Sequence, residues 1–301
     1  MSTKILILGY GEIGHALEFL LKKHCPVAVW DKYPSANFIP VTLEQLVPQA
    51  DIALFCLPVN AHREVTQRIT PHLKRNCLCI SVAKGLDETG KTAAQIFNEN
   101  LPPGHPHALL YGPMIAEEIL AGSYAFAQLG CRDLTAFKTI QTCFDHTKLY
   151  LEHTFDIEGI SWSVILKNVY AMLFGIADEL MLGANMRGHL TTAALQELQL
   201  IAKAMGGQTD TPYRLSGLGD LVATATSENS HHHELGRKIA KGKTDNISGE
   251  GPHTLQMIEK HQLINIQQYP LLQLINTILH QPHNPYLRFE KYFEQLTQRR
   301  R

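Results

Sequence analysis

Lys167 and Asn168 interrupt a stretch, Gly159 to Leu182 (GISWSVILKNVYAMLFGIADELML), that otherwise has the composition of a core wall. A charged ammonium removed from water loses several kcal/mol of solvation unless it is paired, so an amine buried on an apolar helix acquires a shifted pKa and often serves as a general acid or base. The competing reading is that Lys167 snorkels, its stem covered and its head in water. A second chemical feature is the loop Gly9-Tyr10-Gly11-Glu12-Ile13-Gly14, directly after the apolar strand Ile5 to Leu8 and before an amphipathic helix from Ile13 to Lys23. Glycines there permit a tight turn, close approach of backbone to a pyrophosphate and close packing of helix on strand, while the helix amino terminus favours the anion. A tight turn without a ligand is the plainer alternative. A second strand, Val27 to Trp30, ends in Asp31, 17 positions after Gly14. That is close to the roughly 20 expected for a carboxylate that accepts a ribose 2'-hydroxyl. Asp31 favours NAD because it would repel a 2'-phosphate, whereas Lys32 beside it leaves NADP open.

These residues need elements to position them, and 301 residues suffice for two domains. With 45% hydrophobic and 18% charged residues, the balance is that of a globular chain with a sizeable core. The longest nearly apolar run, Val169 to Ala177, falls short of the about 20 residues a membrane span needs, so no span is expected. The amino terminus passes straight into a strand and glycine loop without a cleavage site, which implies a cytoplasmic protein. Six cysteines without a CxxC pair, two of them (Cys77 and Cys79) alternating along a strand, suit buried thiols rather than a disulfide framework. A net charge of -1 gives no footprint for nucleic acid, and Arg299 to Arg301 read as a solvated basic tip.

Strands and helices alternate through the first half. Strands are expected at Asp51 to Leu57, Cys77 to Ala83, Ala108 to Tyr111, Tyr124 to Leu129 and Lys148 to Leu151. Helices are expected from Asn60 to Ile69 with Asn60 as cap, from Thr92 to Asn98, from Met114 to Leu120 opened by Pro113, and from Asp133 to Phe144. Such alternation implies an α/β unit, residues 1–155, with a mainly parallel, doubly wound Rossmann-like sheet of about seven or eight strands. After Phe155 the strands stop, and residues 156–301 read as an all-α domain with helices at Gly159 to Leu182, Gly188 to Ala204, Gly217 to Thr226, Glu234 to Lys241, Thr254 to His261 and Pro270 to His280.

Five blocks, Ser81 to Leu86, Gly112 to Glu118, Leu166 to Val169, Asn185 to Arg187 and Gly217 to Ser227, together resemble those of the bacterial-type NAD(P)-dependent glycerol-3-phosphate dehydrogenases, a likeness over essentially the whole chain. Ser81-Val82-Ala83-Lys84-Gly85-Leu86 is similar to that family's strand-end lysine motif, and Gly112-Pro113-Met114-Ile115-Ala116-Glu117-Glu118 to its GPSFAxE turn. Leu166-Lys167-Asn168-Val169 resembles LKNV, Asn185-Met186-Arg187 resembles NAR, and Gly217 to Ser227 (GLGDLVATATS) resembles GLGDLxxTxTS. The resemblance implies reversible hydride transfer between a nicotinamide and dihydroxyacetone phosphate, giving glycerol 3-phosphate for glycerophospholipid synthesis. It casts Lys167 as the acid and Lys84, at the end of a parallel strand, as the group that holds the substrate. Asp220 and Thr224, four apart, can share a helix face and orient Lys167; a helix amino-terminal carboxylate is the plainer reading of Asp220. Asn168 is placed behind them, toward the cofactor or a neighbouring helix. The resemblance further implies cofactor contacts at the glycine loop, Asp31, Lys84, Ala116, His231 and Glu250. It implies substrate contacts at Lys84, Gly112, Met114, Lys167, Asp220, Ser230, His231 and His232, no metal, and a homodimer formed through the helical domain.

The chain also departs from the family pattern. Ser230-His231-His232-His233 replaces a block that carries an arginine and an asparagine, Met114 replaces a serine, and Ser163-Val164 replaces a glycine pair. Histidine has an unperturbed pKa near 6.5, so phosphate binding through His231 would be weaker than through arginine and dependent on pH. A solvated helix start is the plainer reading of the run, and the ligand spacing of a metal site is absent from it. Three functions remain open at this point: the dehydrogenase itself, a reductase of another small phosphorylated or carboxylated ketone, and a dinucleotide-binding sensor without catalysis.

Overall fold

The structure is a computed structural model that describes residues 2–33, 41–227, 230–243 and 247–299. The chain divides into two compact units, Met1–Ser161 and Trp162–Arg301.

Unit 1 runs β1 (Ile5–Leu8), α1 (Glu12–Leu21), β2 (Val27–Trp30), α2 (Leu43–Leu46), β3 (Ile52–Phe55), α3 (Val59–Ile69), β4 (Leu78–Ser81), α4 (Ala93–Asn100), β5 (His107–Tyr111), α5 (Ala116–Leu120), β6 (Ala125–Cys131), α6 (Leu134–Phe144) and β7 (Leu149–Thr154). The seven strands lie in the order β2-β1-β3-β4-β5-β6-β7. All neighbours are parallel except β5 and β6. Strands β1, β3 and β4 are buried at every position, and such a sheet must be covered on both faces. One cluster around Ile7, Leu17, Leu54, Ile80 and Leu110 fills one side, and another around Leu6, Phe55, Val65, Cys79 and Phe97 fills the other. The chain reverses direction of travel across the sheet between β1 and β3, and crevices at the carboxyl ends of strands form at such a point.

Local chemistry sets the helix ends. Thr92 caps α4 by accepting from the Gln95 amide, and Asp133 caps α6 by accepting from the Thr135 amide. Two expectations need correction. Asn60 does not cap α3, which already starts at Val59 after Pro58. Pro113 does not open α5 either, because its carbonyl accepts from the Phe126 amide and keeps the chain extended until Ala116.

Unit 2 continues the long helix α7 (Ile157–Glu179) and adds α8 (Gly183–Ala204), a π-helical turn at Leu215–Gly219, α9 (Asp220–Thr226), α10 (His231–Ala240), α11 (Glu250–Lys260), α12 (Pro270–His280) and α13 (Pro285–Arg299). Helix α7 passes the length and composition test for a membrane span, yet its apolar stretch is entirely buried, as expected of a core helix that is apolar all round. Helix α10 crosses it at backbone contact distance. A Cβ on Gly175 would lie 1.9 Å from the His233 carbonyl, and one on Gly236 would lie 2.0 Å from the Met172 carbonyl. Helix α8 starts at Gly183 rather than Gly188, so the Asn185-Met186-Arg187 block is helical, and α10 starts at His231 rather than Glu234 because Ser230 caps it. Helix α13 was not expected. Of the terminal arginines, Arg300 and Arg301 lie outside the described residues.

Candidate functional site

The glycine loop leaves β1 at its carboxyl end. Gly9 has φ of +96°, and a Cβ there would meet the Cys56 carbonyl oxygen at 2.8 Å, so both the turn and its packing against the chain after β3 demand glycine. A Cβ on Gly14 would lie 2.3 Å from the Gly9 carbonyl oxygen, which presses α1 onto the turn. Gly11 is different, since nothing lies within 4 Å of the place its Cβ would take. It caps α1 without any side-chain hydrogen bond of its own. Open space at the amino terminus of α1 is a cradle for an anion. Asp31 accepts from the Tyr10 amide at 2.7 Å and from the Tyr33 amide at 2.8 Å, which ties the loop to the end of β2; each carboxylate oxygen keeps a second lone pair for a hydroxyl. Lys32 is engaged with Glu64 at 3.1 Å. Beside the loop lies a cavity of about 480 Å³ bordered by Tyr10, Gly11, His15, Phe19 and Ala116. The Tyr10 hydroxyl donates to Glu18 at 2.5 Å, and its ring stacks on His15. This set fits a dinucleotide.

Two further loops follow the carboxyl ends of β4 and β5. The Lys84 ammonium donates to the Gly112 carbonyl at 3.2 Å, and the Tyr111 hydroxyl donates to the Ala83 carbonyl at 2.8 Å, which joins the two loops. A Cβ on Gly112 would lie 2.4 Å from the Phe126 carbonyl oxygen, so this position is fixed by close approach. Met114 is buried in the hydrophobic cluster that includes Leu110, Ala116 and Ile119. Beneath β4, His62 donates through Nδ1 to the Pro58 carbonyl at 3.1 Å and accepts through Nε2 from the Ser81 hydroxyl at 2.8 Å; burial pushes its imidazole down to about 4, which keeps it neutral.

In unit 2, Lys167 does not snorkel: its side chain is 5% exposed and that of Asp220 is 4% exposed. Its ammonium donates to Thr224 Oγ1 at 2.5 Å and lies 3.1 Å from Asp220 Oδ1. The π-helical turn before α9 delivers these partners. Gly217 sits so close to Pro212 that a Cβ would lie 2.2 Å from its carbonyl oxygen, after which Asp220 and Thr224 share one face of α9. Asp220 does stand in the first turn of α9, but its carboxylate is paired with a buried amine rather than left to the helix dipole alone. An amine in water-poor surroundings between a carboxylate and a hydroxyl can deliver or accept a proton at a fixed place.

Asn168, 1% exposed, donates through Nδ2 to Glu250 at 2.9 Å, which ties α7 to the amino terminus of α11. Ser230 Oγ accepts from the His233 amide, and His231 and His232 form the first turn of α10. The histidine run is not uniformly solvated. His233 is buried and bonds Asp178 Oδ2 at 2.7 Å, while Arg187 donates to Asp178 Oδ1 at 2.7 Å. Burial works to raise the Asp178 pKa, but the hydrogen bonds from Arg187 and His233 outweigh it and hold the carboxyl below its usual range. Asp178, His233 and the buried Glu197 were missed in the sequence. Glu197 accepts from the Tyr170 hydroxyl and from the Leu271 and Leu272 amides at the start of α12. Asp178 was the most findable, because eleven residues is about three helical turns and puts it on the Lys167 side of α7.

The sequence profile described as the NAD-dependent glycerol-3-phosphate dehydrogenase C-terminus matches residues 156–288, and the N-terminus profile matches residues 32–137. The chain is 34% identical over 293 residues to the glycerol-3-phosphate dehydrogenase [NAD(P)+] of Thermosynechococcus vestitus, covering 93% of this chain and 92% of that one. It is 35% identical to the protein of the same name from Trichormus variabilis, covering 81% and 78%. Among solved structures, the glycerol-3-phosphate dehydrogenase of Coxiella burnetii superposes with a TM-score of 0.83 at 24% identity, covering 97% of this chain and 99% of that one, a likeness of fold.

Proposed function

Because the chain belongs to the NAD-dependent glycerol-3-phosphate dehydrogenase family, we propose that Lys167 is the group that exchanges a proton with the C2 oxygen as glycerol 3-phosphate and dihydroxyacetone phosphate interconvert. The enzyme is an NAD(P)-dependent oxidoreductase acting on a CH-OH group. When bound, the nicotinamide supplies or accepts the hydride. Reduction leaves a developing alkoxide, which needs a proton donor and a cationic partner in a site closed to water. The buried ammonium of Lys167, held by Asp220 and Thr224, supplies both, and this is the observation that carries the reading. In the oxidative direction the neutral amine takes the hydroxyl proton.

The remaining assignments belong to the same proposal. The amides of Glu12 and Ile13 hold the pyrophosphate, and Asp31 holds the adenine ribose. NAD is preferred over NADP, since Asp31 repels a 2'-phosphate while Lys32 is committed to Glu64. Lys84 and Gly112 contact substrate, Ala116 and Glu250 contact cofactor, and Ser230, His231 and His232 offer the first turn of α10 to phosphate. The protein works in the cytoplasm as a homodimer and supplies a glycerophospholipid precursor. NADH oxidation against a panel of small ketones tests the reading. Turnover confined to dihydroxyacetone phosphate supports it, turnover with another ketone alone overturns the substrate, and dinucleotide binding without turnover on any ketone overturns the activity.

A further inference from the structure

The ladder of the sheet stops short of Lys84. Strand β4 ends at Ser81, which lies between Phe55 of β3 and Leu109 of β5, and the rung beyond it is the Val82 amide donating to the Phe55 carbonyl at 3.2 Å. At Ala83 side chains take over from the ladder. Its amide donates to Ser81 Oγ at 3.1 Å, and its carbonyl accepts from the Tyr111 hydroxyl at 2.8 Å. Ala83 is buried, and buried backbone groups must find partners of this kind. The two peptide planes that flank Ala83 are therefore clamped one from each side, which sets the point from which Lys84 leaves the backbone.

The Ser81 clamp is itself held from α3. A carbonyl can only accept, so His62 Nδ1, 3.1 Å from the Pro58 oxygen, carries the ring proton. Nε2 is then bare and accepts from the Ser81 hydroxyl at 2.8 Å, which leaves the lone pairs of Ser81 Oγ to the Ala83 amide. Donation runs one way, from Ala83 to Ser81 to His62 to Pro58. A protonated imidazole would reverse the middle bond, but burial keeps His62 neutral. The ring is also boxed in, with the Phe55 ring centroid at 5.2 Å and that of Phe97 at 5.8 Å.

We propose that His62 and Ser81 are positioning residues for Lys84, a relay that runs from α3 through the end of β4 and keeps the ammonium aimed across the mouth of the sheet at Gly112. The proposal rests on the reading of Lys84 as a substrate contact. Neither relay residue can touch a ligand, since both side chains are wholly buried, so they act through the backbone of Ala83. The target of the ammonium is as firmly placed as its root. Lys84 reaches the Gly112 carbonyl at 3.2 Å, and a Cβ on Gly112 would already lie 2.4 Å from the Phe126 carbonyl oxygen, so Gly112 does not follow a loop that shifts. Gly85 rests on α3 as well, for a Cβ there would lie 3.4 Å from Val59 Cγ1. Helix α3 thus supports the loop on both sides of Lys84. Misplacement of a substrate-holding group by about 1 Å costs on the order of 10²-fold in rate, so a relay that fixes the loop bears directly on turnover.

Steady-state kinetics of dihydroxyacetone phosphate reduction by the full chain, well below the melting temperature of each variant, test the relay. Ser81→Ala leaves the Ala83 amide and His62 Nε2 without their partner, and His62→Leu frees the Ser81 hydroxyl to turn. Each should lower kcat/KM by roughly 10- to 100-fold, chiefly through KM for the ketone, with the NADH dissociation constant unchanged as the report of folding. His62→Gln can put an amide oxygen where Nε2 stands and should recover most of that loss, which leucine, filling similar space, does not. Ser81→Ala with His62→Leu should cost no more than the worse single change, because the two break one chain of bonds. Lys84→Met, measured alongside, separates the two levels of inference. An unchanged kcat/KM in Lys84→Met overturns the substrate contact and the proposal with it. A large loss in Lys84→Met together with unchanged kcat/KM in Ser81→Ala and His62→Leu overturns the relay and leaves the contact standing. Losses that simply add in the double variant, or a His62→Gln no better than His62→Leu, also overturn the relay.

Discussion

Asp220→Ala isolates a buried charge. Lys167 and Asp220 are 3.1 Å apart with side chains 5% and 4% exposed, so solvent offers little screening to either. Two unit charges at 3.1 Å attract by about 5 kcal/mol at an effective dielectric constant near 20. Removal of one member of a buried pair costs about 3–5 kcal/mol, because the survivor stays desolvated and uncompensated. Thr224 remains as an acceptor for the amine but brings no charge. For a unit of this size each kcal/mol moves the melting midpoint by about 2–4 °C, so the expected fall is roughly 6–20 °C in a calorimetric scan. The double variant Lys167→Met with Asp220→Leu removes both charges and fills the space with apolar atoms. It should return to within about 1 kcal/mol of the wild type while remaining inactive, which separates the structural cost from the chemistry. A loss below about 1 kcal/mol in Asp220→Ala, the range of exposed ion pairs, would refute the reasoning.

Asp31→Ala should narrow or reverse the preference for NADH over NADPH, read as the ratio of kcat/KM values, by removing repulsion of the 2'-phosphate; a wild type that already prefers NADPH contradicts the assignment. His62 is depressed from 6.5 to about 4 by burial, so the unfolded chain binds a proton that the folded chain refuses. The stability it contributes is complete above about pH 6.5 and is lost as pH falls toward 4, by roughly 3 kcal/mol, and urea titrations of His62→Gln should lack that part of the acid sensitivity. Gly175→Ala would place a Cβ 1.9 Å from the His233 carbonyl and should lower the urea-unfolding free energy by about 1–3 kcal/mol or more; an unchanged midpoint would show that α10 yields freely.

Much of this architecture could be read from residue types. The alternation of buried β-strands with capped helices announced the sheet, because runs such as Ile52–Phe55 and Leu78–Ser81 suit only strands covered on both faces. The ion pair between α7 and α9 was equally visible, since Lys167 is the single ammonium in that apolar run and GLGD carries a carboxylate followed four residues later by a hydroxyl. What stayed hidden depended on tertiary contact. The pairing of Asp178 with His233 joins residues 55 apart, and nothing local distinguishes His233 from the histidines before it. Helix α13, PYLRFEKYFEQLTQR, is strongly polar, and its packing against α12 and against His189 of α8 gives its aromatic face a purpose. Pro113 misled because a proline that opens many helices here carries the carbonyl that binds β6.

The central claim is that Lys167 moves the proton. The steady-state rate of dihydroxyacetone phosphate reduction by the Lys167→Ala variant, measured alongside its NADH affinity by fluorescence titration, tests that claim most directly. Loss of a general acid predicts kcat lower by about 10²- to 10⁴-fold with the NADH dissociation constant unchanged. A kcat within about tenfold of the wild type, at unchanged NADH affinity, would remove Lys167 from the chemistry.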